Sequence, residues 1–282
     1  MSSTTPLRNL NEGMKRLSLN QKTIDRWTVP EAIEGCVRHD VEWIGLWRDK
    51  VDAYGLAASA KAVRNAGLKV SSNCRGGLFP STDADDRADR IEDNKRAIHE
   101  AAELGAEMLA IVGGGLNGVQ NPDEARKMIV DGIEAIIPYA EARGVKLGIE
   151  PLHPALAQDR SLISSMKYAN DLVEHFDHPN VGLIVDVFHV WWDPFLYEEI
   201  ARAGNKIIAF HVDDIPVHFT DVLMNRMMMG DGVCQIRRMR EAVDAAGYTG
   251  PIEVEIFNQD IWERNGDDVM REMKQRFLDH VL

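Results

Sequence analysis

The chain has 282 residues, which is enough for one large domain or two small ones, and 45% of them are hydrophobic. It carries 32 Lys and Arg against 45 Asp and Glu, a formal net charge of −13. A chain with this much negative charge is repelled by a phosphate backbone, and no basic stripe offsets the charge. We therefore expect no nucleic acid partner.

The N-terminal residues, the hydropathy of the chain and the cysteines predict the cellular compartment. The first residues, MSSTTPLRNL, lack the apolar core of a signal peptide, and no stretch is long enough to span a membrane. Cys36, Cys74 and Cys234 are odd in number and widely spaced, as free thiols in a reducing compartment are. We predict a cytoplasmic protein with no membrane partner.

Short apolar runs alternate with longer helical stretches from end to end. The runs are RLSLN (16–20), WIGLW (43–47), LKVSSNC (68–74), EMLAIVG (107–113), VKLGIE (145–150), VGLIVD (181–186), KIIAFH (206–211) and PIEVE (251–255). The first helix is predicted to open at Thr28-Val-Pro-Glu, and the second to end near Gly67. The later helices are predicted over 84–104, 122–143, 161–176, 194–203, 235–246 and 261–280.

The spacing of these runs predicts the fold class. Their ends lie 25 to 44 residues apart, which fits one βαβ unit each time. Eight such units indicate an α/β protein, a single-domain (β/α)₈ TIM barrel over residues 15–282 with an N-terminal extension over 1–14. A doubly wound open sheet is the alternative. It is disfavoured because no GxGxxG follows the first run.

Four runs end in a side chain that can bind a metal ion. These residues are Glu150, Asp186, His211 and Glu255, which close the fifth to eighth runs. A charge at the end of a buried strand is costly without a partner, and all strand ends of a barrel open on the face that carries the active site. Three carboxylates and an imidazole suit Mn²⁺, with Mg²⁺, Co²⁺ or Zn²⁺ as alternatives. We therefore predict one divalent metal ion at these four residues.

The same residues predict a reaction. Four protein ligands leave about two positions of a six-coordinate ion for adjacent hydroxyl and carbonyl oxygens of a sugar. The ion would hold the enediolate formed when the neighbouring carbon loses its proton. Glu150 and Glu255 are the predicted acid–base pair. Glu253 points to the same side of its strand as Glu255. We prefer Glu255 because it lies nearer the open end.

Three further candidates stand three residues after a predicted ligand. They are His153, His189 and Asp214, which could bind substrate hydroxyl groups or orient the ligands. His189 is the first choice for substrate contact, whereas His153 could instead cap a turn as a loop histidine. Arg75, in the segment NCRGG after the third run, is another candidate substrate anchor.

The longest interval, 44 residues, separates the seventh run from the eighth and contains HFTDVLMNRMMMGDGVCQ (218–235). It exceeds a minimal connection, and we interpret residues 214–235 as a lid over the barrel mouth. Arg226 would be its substrate-binding charge, and Gly230-Asp231-Gly232 its turn back into the last helix. The alternative is an irregular packed loop whose methionines fill gaps in the core.

Five motifs resemble the xylose isomerase-like TIM-barrel superfamily, in particular its sugar phosphate isomerase/epimerase branch. They are IEPLHP (149–154), VDVFH (185–189), FHVDD (210–214), MGDGV (229–233) and VEIF (254–257), and the resemblance covers nearly the whole chain. It implies the single-metal site of the ketose 3-epimerases, formed by the four strand-end residues, with the two glutamates flanking the substrate carbon. His189 matches a histidine that touches substrate, and Arg226 matches an arginine found after the seventh strand.

We predict a divalent-metal-dependent isomerase or epimerase of a ketose-like sugar or polyol derivative, acting through a metal-stabilised enediolate. The first alternative is a lyase of the same superfamily, either a keto-polyol dehydratase or an enzyme that cleaves oxo-glycosides or C-glycosides. The second is a non-catalytic sugar-binding or partner subunit. An endonuclease IV-like nuclease is disfavoured, since SSNCRGG and AIVGGG lack its extra histidine ligands. The expected partner is a small sugar-like molecule, and a homo-oligomer or hetero-subunit stays open.

Overall fold

The structure is a computed structural model that describes residues 7–218 and 220–282, with side chains from residue 10 onward. Its strands are β1 (Leu17–Asn20), β2 (Trp43–Trp47), β3 (Lys69–Gly77), β4 (Met108–Val112), β5 (Lys146–Ile149), β6 (Val181–Asp186), β7 (Ile207–Val212) and β8 (Ile252–Val254). All neighbours pair in parallel, and β1 also pairs with β8, so the sheet closes. The predicted single-domain (β/α)₈ barrel is confirmed.

Helices follow the strands and surround the barrel. They are α1 (Leu7–Met14), α2 (Val29–Arg38), α3 (Arg48–Tyr54), α4 (Leu56–Ala66), α5 (Ala84–Leu104), α6 (Pro122–Arg143), α7 (Met166–Phe176), α8 (Val187–Val190), α9 (Leu196–Ala203), α10 (Ile236–Ala245), α11 (Gln259–Trp262) and α12 (Gly266–Arg276). The helices predicted over 84–104 and 122–143 are confirmed with the same bounds. Of the predicted extension, residues 1–6 lie outside the described residues, and the rest is mainly α1.

Capping side chains explain where several helices begin. They also explain why two of the predicted helix ranges were inaccurate. Thr28 and Glu31 form a capping box at the start of α2, as the sequence indicated. The helix predicted over 161–176 begins only at Met166, because the Ser165 hydroxyl accepts from the Tyr168 N–H. The helix predicted over 261–280 is divided, because Asn265 caps a new helix, α12.

Apolar side chains form a main cluster between the barrel and the helices and two smaller clusters, one inside the barrel and one made of Val112, Leu152 and Leu156. The inner cluster consists of Cys74, Met108, Ala110, Ile184 and Ala209. Several strands, such as β4 and β6, are apolar without alternation because both of their faces are covered. None of the helices in the described ranges combines the length and the apolar character needed to cross a membrane.

Candidate metal centre and active-site cavity

The ends of β5 to β8 bring the four predicted metal ligands together. Glu150 follows β5, Asp186 ends β6, His211 lies in β7 and Glu255 follows β8. Each offers a ligand atom, and these four atoms all lie within 4.8 Å of one another. Their relative exposures are only 6%, 0%, 1% and 5%, so the cluster is buried. It is the arrangement that the strand count predicted.

Unpaired polar atoms show that this cluster fits a cation. Glu150 Oε1 and both ring nitrogens of His211 are buried and have no hydrogen-bond partner among the described residues. His211 Nδ1 lies 3.4 Å from Glu150 Oε1 and 4.0 Å from Glu255 Oε2. Buried polar atoms without partners are costly and uncommon in native proteins. A divalent ion would use Glu150 Oε1 and one ring nitrogen of His211 as ligands.

The ionisation of the cluster reflects its burial and its crowded charges. Burial lowers the pKa of His211, but Glu253, Glu150 and Glu255 raise it more, to about 10. Burial raises the pKa of Glu255 to about 7 against the opposing charges of Arg226 and His211. A glutamate with a pKa near neutrality is suited to exchange a proton at physiological pH. The cluster therefore holds protons that a metal ion would displace.

Arg226, predicted as the substrate-binding charge of a lid, is buried among the carboxylates of the cluster. Its Nη1 atom lies 3.0 Å from both Asp186 Oδ2 and Asp213 Oδ2, and 2.9 Å from Glu255 Oε2. Its guanidinium lies between two aromatic rings, 4.7 Å from the centre of Phe188 and 4.8 Å from that of Phe257. This side chain holds two of the three carboxylates of the cluster, Asp186 and Glu255, in place.

His189 lies beside this arginine and lines the cavity. Burial lowers its pKa to about 3 despite the nearby Asp186, so the ring is neutral. The His153 N–H donates to Nδ1 over 3.1 Å, and Arg226 Nη2 lies 3.0 Å from Nε2. A neutral imidazole accepts at one nitrogen only, so one of these two donors lacks an acceptor here. His153 itself is the N-cap of the 3₁₀ turn Pro154–Leu156, the alternative role that the sequence left open.

Asp214 is not brought to the cavity wall, contrary to what its spacing suggested. Its carboxylate accepts from the N–H groups of residues 215, 230, 232 and 234, so it organises the loop after β7. Gly230 has φ +91°, which favours glycine. At Gly232 a Cβ would lie 2.2 Å from the Ile215 carbonyl oxygen and 2.4 Å from Asp214 Oδ1. The GDG motif is therefore needed for this carboxylate to reach the loop backbone.

The segment interpreted as a lid, 214–235, has two parts with different packing; residue 219 lies outside the described residues. Met228 and Met229 are 1% and 0% exposed and belong to the main core cluster. That part corresponds to the packed-loop alternative. Leu223 and Met224 line the cavity. Together with Arg226, they are the described residues of this segment that could cover a substrate.

A cavity of about 290 Å³ adjoins the metal-ligand cluster. Glu150, Glu255, His189, Arg226 and Arg75 line it, so it collects most of the predicted site residues. The remaining wall consists of Lys22, Trp47, Cys74, Ala110, Val112, Leu152, Leu156, Arg160, Leu223, Met224, Phe257 and Trp262. Its size and mixed lining are typical of a small-molecule site.

Asn20 is a site residue that the sequence reasoning missed. Its amide Nδ2 donates to Glu253 Oε1 over 2.6 Å and to Glu255 Oε1 over 2.9 Å, while Oδ1 accepts from Trp47 Nε1 over 2.8 Å. Glu253 lies deeper than Glu255 and also accepts from Ser72. Glu255 rather than Glu253 therefore joins the cluster, as expected. Asn20 closes the first apolar run, so the reasoning used for the other strand ends could have found it. Lys22, Arg160 and Trp262 carried no such signal.

Comparison with known proteins agrees with this architecture. A family model described as "Xylose isomerase-like TIM barrel" matches residues 32–279. The chain belongs to this family. The predicted superfamily is thus confirmed.

Solved structures of the family superpose over nearly the whole chain. Protein SMc04130 from Sinorhizobium meliloti 1021 is 45% identical, with a TM-score of 0.93 over 95% of this chain and 99% of that one. The IOLI protein, whose structure has a bound zinc atom, is 23% identical, with a TM-score of 0.84 over 94% of this chain and 98% of that one. At that identity the second comparison supports the fold alone.

Curated relatives of this chain include sugar epimerases. The L-ribulose-5-phosphate 3-epimerase UlaE of Salmonella paratyphi A is 27% identical over 208 residues, which is 72% of this chain and 69% of the relative. The predicted class of sugar isomerase or epimerase agrees with these relatives.

Proposed function

We propose that this protein is a divalent-metal-dependent isomerase or epimerase of a ketose-like sugar or polyol derivative. The observation that carries the proposal is the buried cluster of Glu150, Asp186, His211 and Glu255, whose two glutamates also line the cavity. Relatives named as sugar epimerases, among them UlaE, support the reaction class.

Glu150, Asp186, His211 and Glu255 would hold the ion, and we propose Mn²⁺ because three carboxylates and one imidazole form a hard ligand set. When bound, the ion would supply Lewis-acid polarisation of the substrate carbonyl and charge stabilisation of an enediolate. Asp186 and Glu255 are held for this purpose by Arg226.

The two glutamates would move the proton. Glu150 and Glu255 line the same cavity and stand after β5 and β8, on either side of β6 and β7. One carboxylate takes the proton from the carbon next to the carbonyl, and the other returns one, which for an epimerase occurs on the opposite face. Asn20 orients Glu255 through its 2.9 Å hydrogen bond. His189 lines the cavity wall beside Arg226 and would contact the bound substrate.

The decisive experiment measures exchange of the substrate proton with solvent deuterium. The Mn²⁺-loaded protein is incubated with a panel of ketoses, inososes and 3-oxo-glycosides in D₂O, and deuterium uptake at carbon is followed by NMR. We expect uptake with at least one ketose. Glu150→Gln and Glu255→Gln should each lower its rate by at least about a hundredfold. The exposed Glu263→Gln is the matched control and should exchange at the wild-type rate.

Each outcome of this experiment decides for or against the proposal. Exchange with recovery of an epimer or isomer supports the proposal, and exchange with loss of a leaving group moves the protein to the lyases. No exchange with any substrate, or full exchange in both glutamine variants, contradicts it.

A further inference from the structure

The active-site cavity is cationic within an acidic chain. Among the described lining residues its only carboxylates are Glu150 and Glu255, which belong to the metal-ligand cluster. Its cationic side chains are Lys22, Arg75, Arg160 and Arg226. The chain as a whole has a net charge of −13, so this distribution is local to the cavity.

Two of the four cations are neutralised by the protein itself. Arg226 is bonded to the buried carboxylates of Asp186, Asp213 and Glu255. Lys22 Nζ lies 2.9 Å from Asp25 Oδ1 and 4.9 Å from the centre of the Trp47 ring. Arg75 and Arg160 differ, because neither guanidinium has a carboxylate oxygen of the described residues within 4.0 Å. They are the two charges that the cavity leaves for a ligand.

The surroundings of Arg75 favour a bound anion. Burial lowers the pKa of Arg75, and the neighbouring charges of Arg160 and Arg48 lower it further, against a smaller opposing effect of Cys74 and Asp93. Two like charges in one partly buried cavity repel each other, and an anion between them removes that repulsion. Guanidinium groups also bind the paired oxygens of carboxylate and phosphate in a two-pronged manner.

A neighbouring cavity provides a contrast on the same molecule. It measures about 650 Å³, shares Lys22, Trp47, Cys74 and Arg75 with the active-site cavity, and extends towards α5. Its wall carries four carboxylates that the active-site cavity lacks, those of Asp49, Asp86, Asp89 and Asp93. Its further cations, Arg48, Arg90 and Arg96, are each paired with one of these acids. An anion is therefore favoured on the active-site side of Arg75, where Arg160 lies and acids other than the metal ligands are absent from the described wall.

We propose that Arg75 and Arg160 bind an anionic group of the substrate, a phosphate monoester or a carboxylate, carried by the end of the sugar that does not react at the metal ligands. The inference rests on the proposed function, since it names the charge class of the substrate of that same site. Leu152 and Leu156 line the cavity as well. An anion beside these leucines loses part of its hydration, and the two arginines would replace that hydration with charge-assisted hydrogen bonds.

Isothermal titration calorimetry on the Mn²⁺-loaded protein tests this proposal. The probes are a pentulose, its 5-phosphate, a hexulosonate with a terminal carboxylate, and inorganic phosphate. We expect at least one anionic sugar to bind about tenfold tighter than the neutral pentulose, as one or two charge-assisted hydrogen bonds would produce. The sugar anion that binds more tightly identifies phosphate or carboxylate as the natural group.

Substitutions assign the selectivity to the two arginines. Arg75→Gln and Arg160→Gln should each lower the affinity ratio of anionic to neutral sugar by at least about fivefold, and Arg75→Lys should retain part of it. Arg126→Gln, on the exposed face of α6, is the matched control and should keep the wild-type ratio. Mn²⁺ binding by each variant reports that the barrel is intact. A ratio near one in the wild type, or an unchanged ratio in both glutamine variants, overturns the proposal.

The deuterium exchange assay separates this proposal from the function on which it rests. Arginine-dependent binding of the anionic sugar without exchange in any ketose would leave the anion site standing and remove the epimerase. If neutral and anionic ketoses instead exchange equally fast and bind equally tightly, the epimerase proposal stands and the anion site is removed.

Discussion

Replacing Arg226 with methionine tests whether this buried arginine holds the metal-ligand carboxylates in place. Methionine can keep the contacts with the rings of Phe188 and Phe257 but removes the positive charge. Three carboxylates then lose their shared partner. They are Asp186, Asp213 and Glu255, whose exposures are 0%, 1% and 5%.

The expected loss of stability follows from that burial. Removing one member of a buried ion pair costs about 3–5 kcal/mol. Three acceptors would suggest more, but protonation limits the cost, because burial and the charge of Asp186 already raise the pKa of Asp213. We therefore expect a decrease of about 4 kcal/mol in the free energy of unfolding of Arg226→Met without metal. At about 2 °C per kcal/mol for a chain of this size, Tm falls by about 8 °C.

Urea unfolding followed by circular dichroism measures this loss, first in EDTA and then in saturating Mn²⁺. The ion would bring positive charge to Asp186 and Glu255, so Mn²⁺ should recover part of the lost stability. Arg126→Met, which removes an exposed pair with Asp123, is the control and should unfold at the wild-type urea concentration. A loss below about 1 kcal/mol for Arg226→Met in EDTA would refute the reasoning.

Further predictions concern the metal and the loop after β7. His211→Ala should weaken Mn²⁺ binding by at least about tenfold, and undiminished binding in calorimetry would show that the ligand set is wrong. Because a bound imidazole is neutral whereas the pKa of His211 in the metal-free protein is about 10, binding releases a proton, and Mn²⁺ affinity should rise about tenfold per pH unit from pH 7.5 to 9. A constant affinity over that range would contradict this linkage. Met229→Ala should cost about 2–5 kcal/mol in urea unfolding, because its side chain is 0% exposed. Met224→Ala should raise KM with little change in stability, since Met224 lines the cavity. If Met224→Ala lowered stability and Met229→Ala raised KM instead, the division of the loop into a core part and a cavity part would be wrong.

Much of the architecture was predictable because it depends on local patterns. Several of the runs are continuously apolar, as strands buried on both faces are, and eight runs at βαβ spacing leave few topologies. The bounds predicted for α5 and α6 agree with the structure, where Asp83 and Asn121 accept hydrogen bonds from the free N–H groups at the starts of these helices. The prediction of one helix over 261–280 was inaccurate, because the helical pattern of apolar residues continues past Asn265, where a new helix begins.

The polar residues around the site were predictable only in part. Spacing of three residues placed His189 on the cavity wall but placed Asp214 there wrongly, because side-chain direction in a loop depends on which backbone N–H groups it meets. Arg226 was found as a charge near the site, but its burial between Phe188 and Phe257 involves residues distant in sequence. Arg160 is separated from Arg75 by 85 positions, so no local pattern joins them.

The sequence by itself determined the barrel, its strand order and the identity of the four clustered residues, since each depends on where an apolar run stops and which residue closes it. Only the tertiary structure decided that Arg226 pairs with three buried carboxylates and that Arg75 and Arg160 share one cavity. The physical reason is that these features depend on distances between different loops, and the closed sheet brings those loops together on one face.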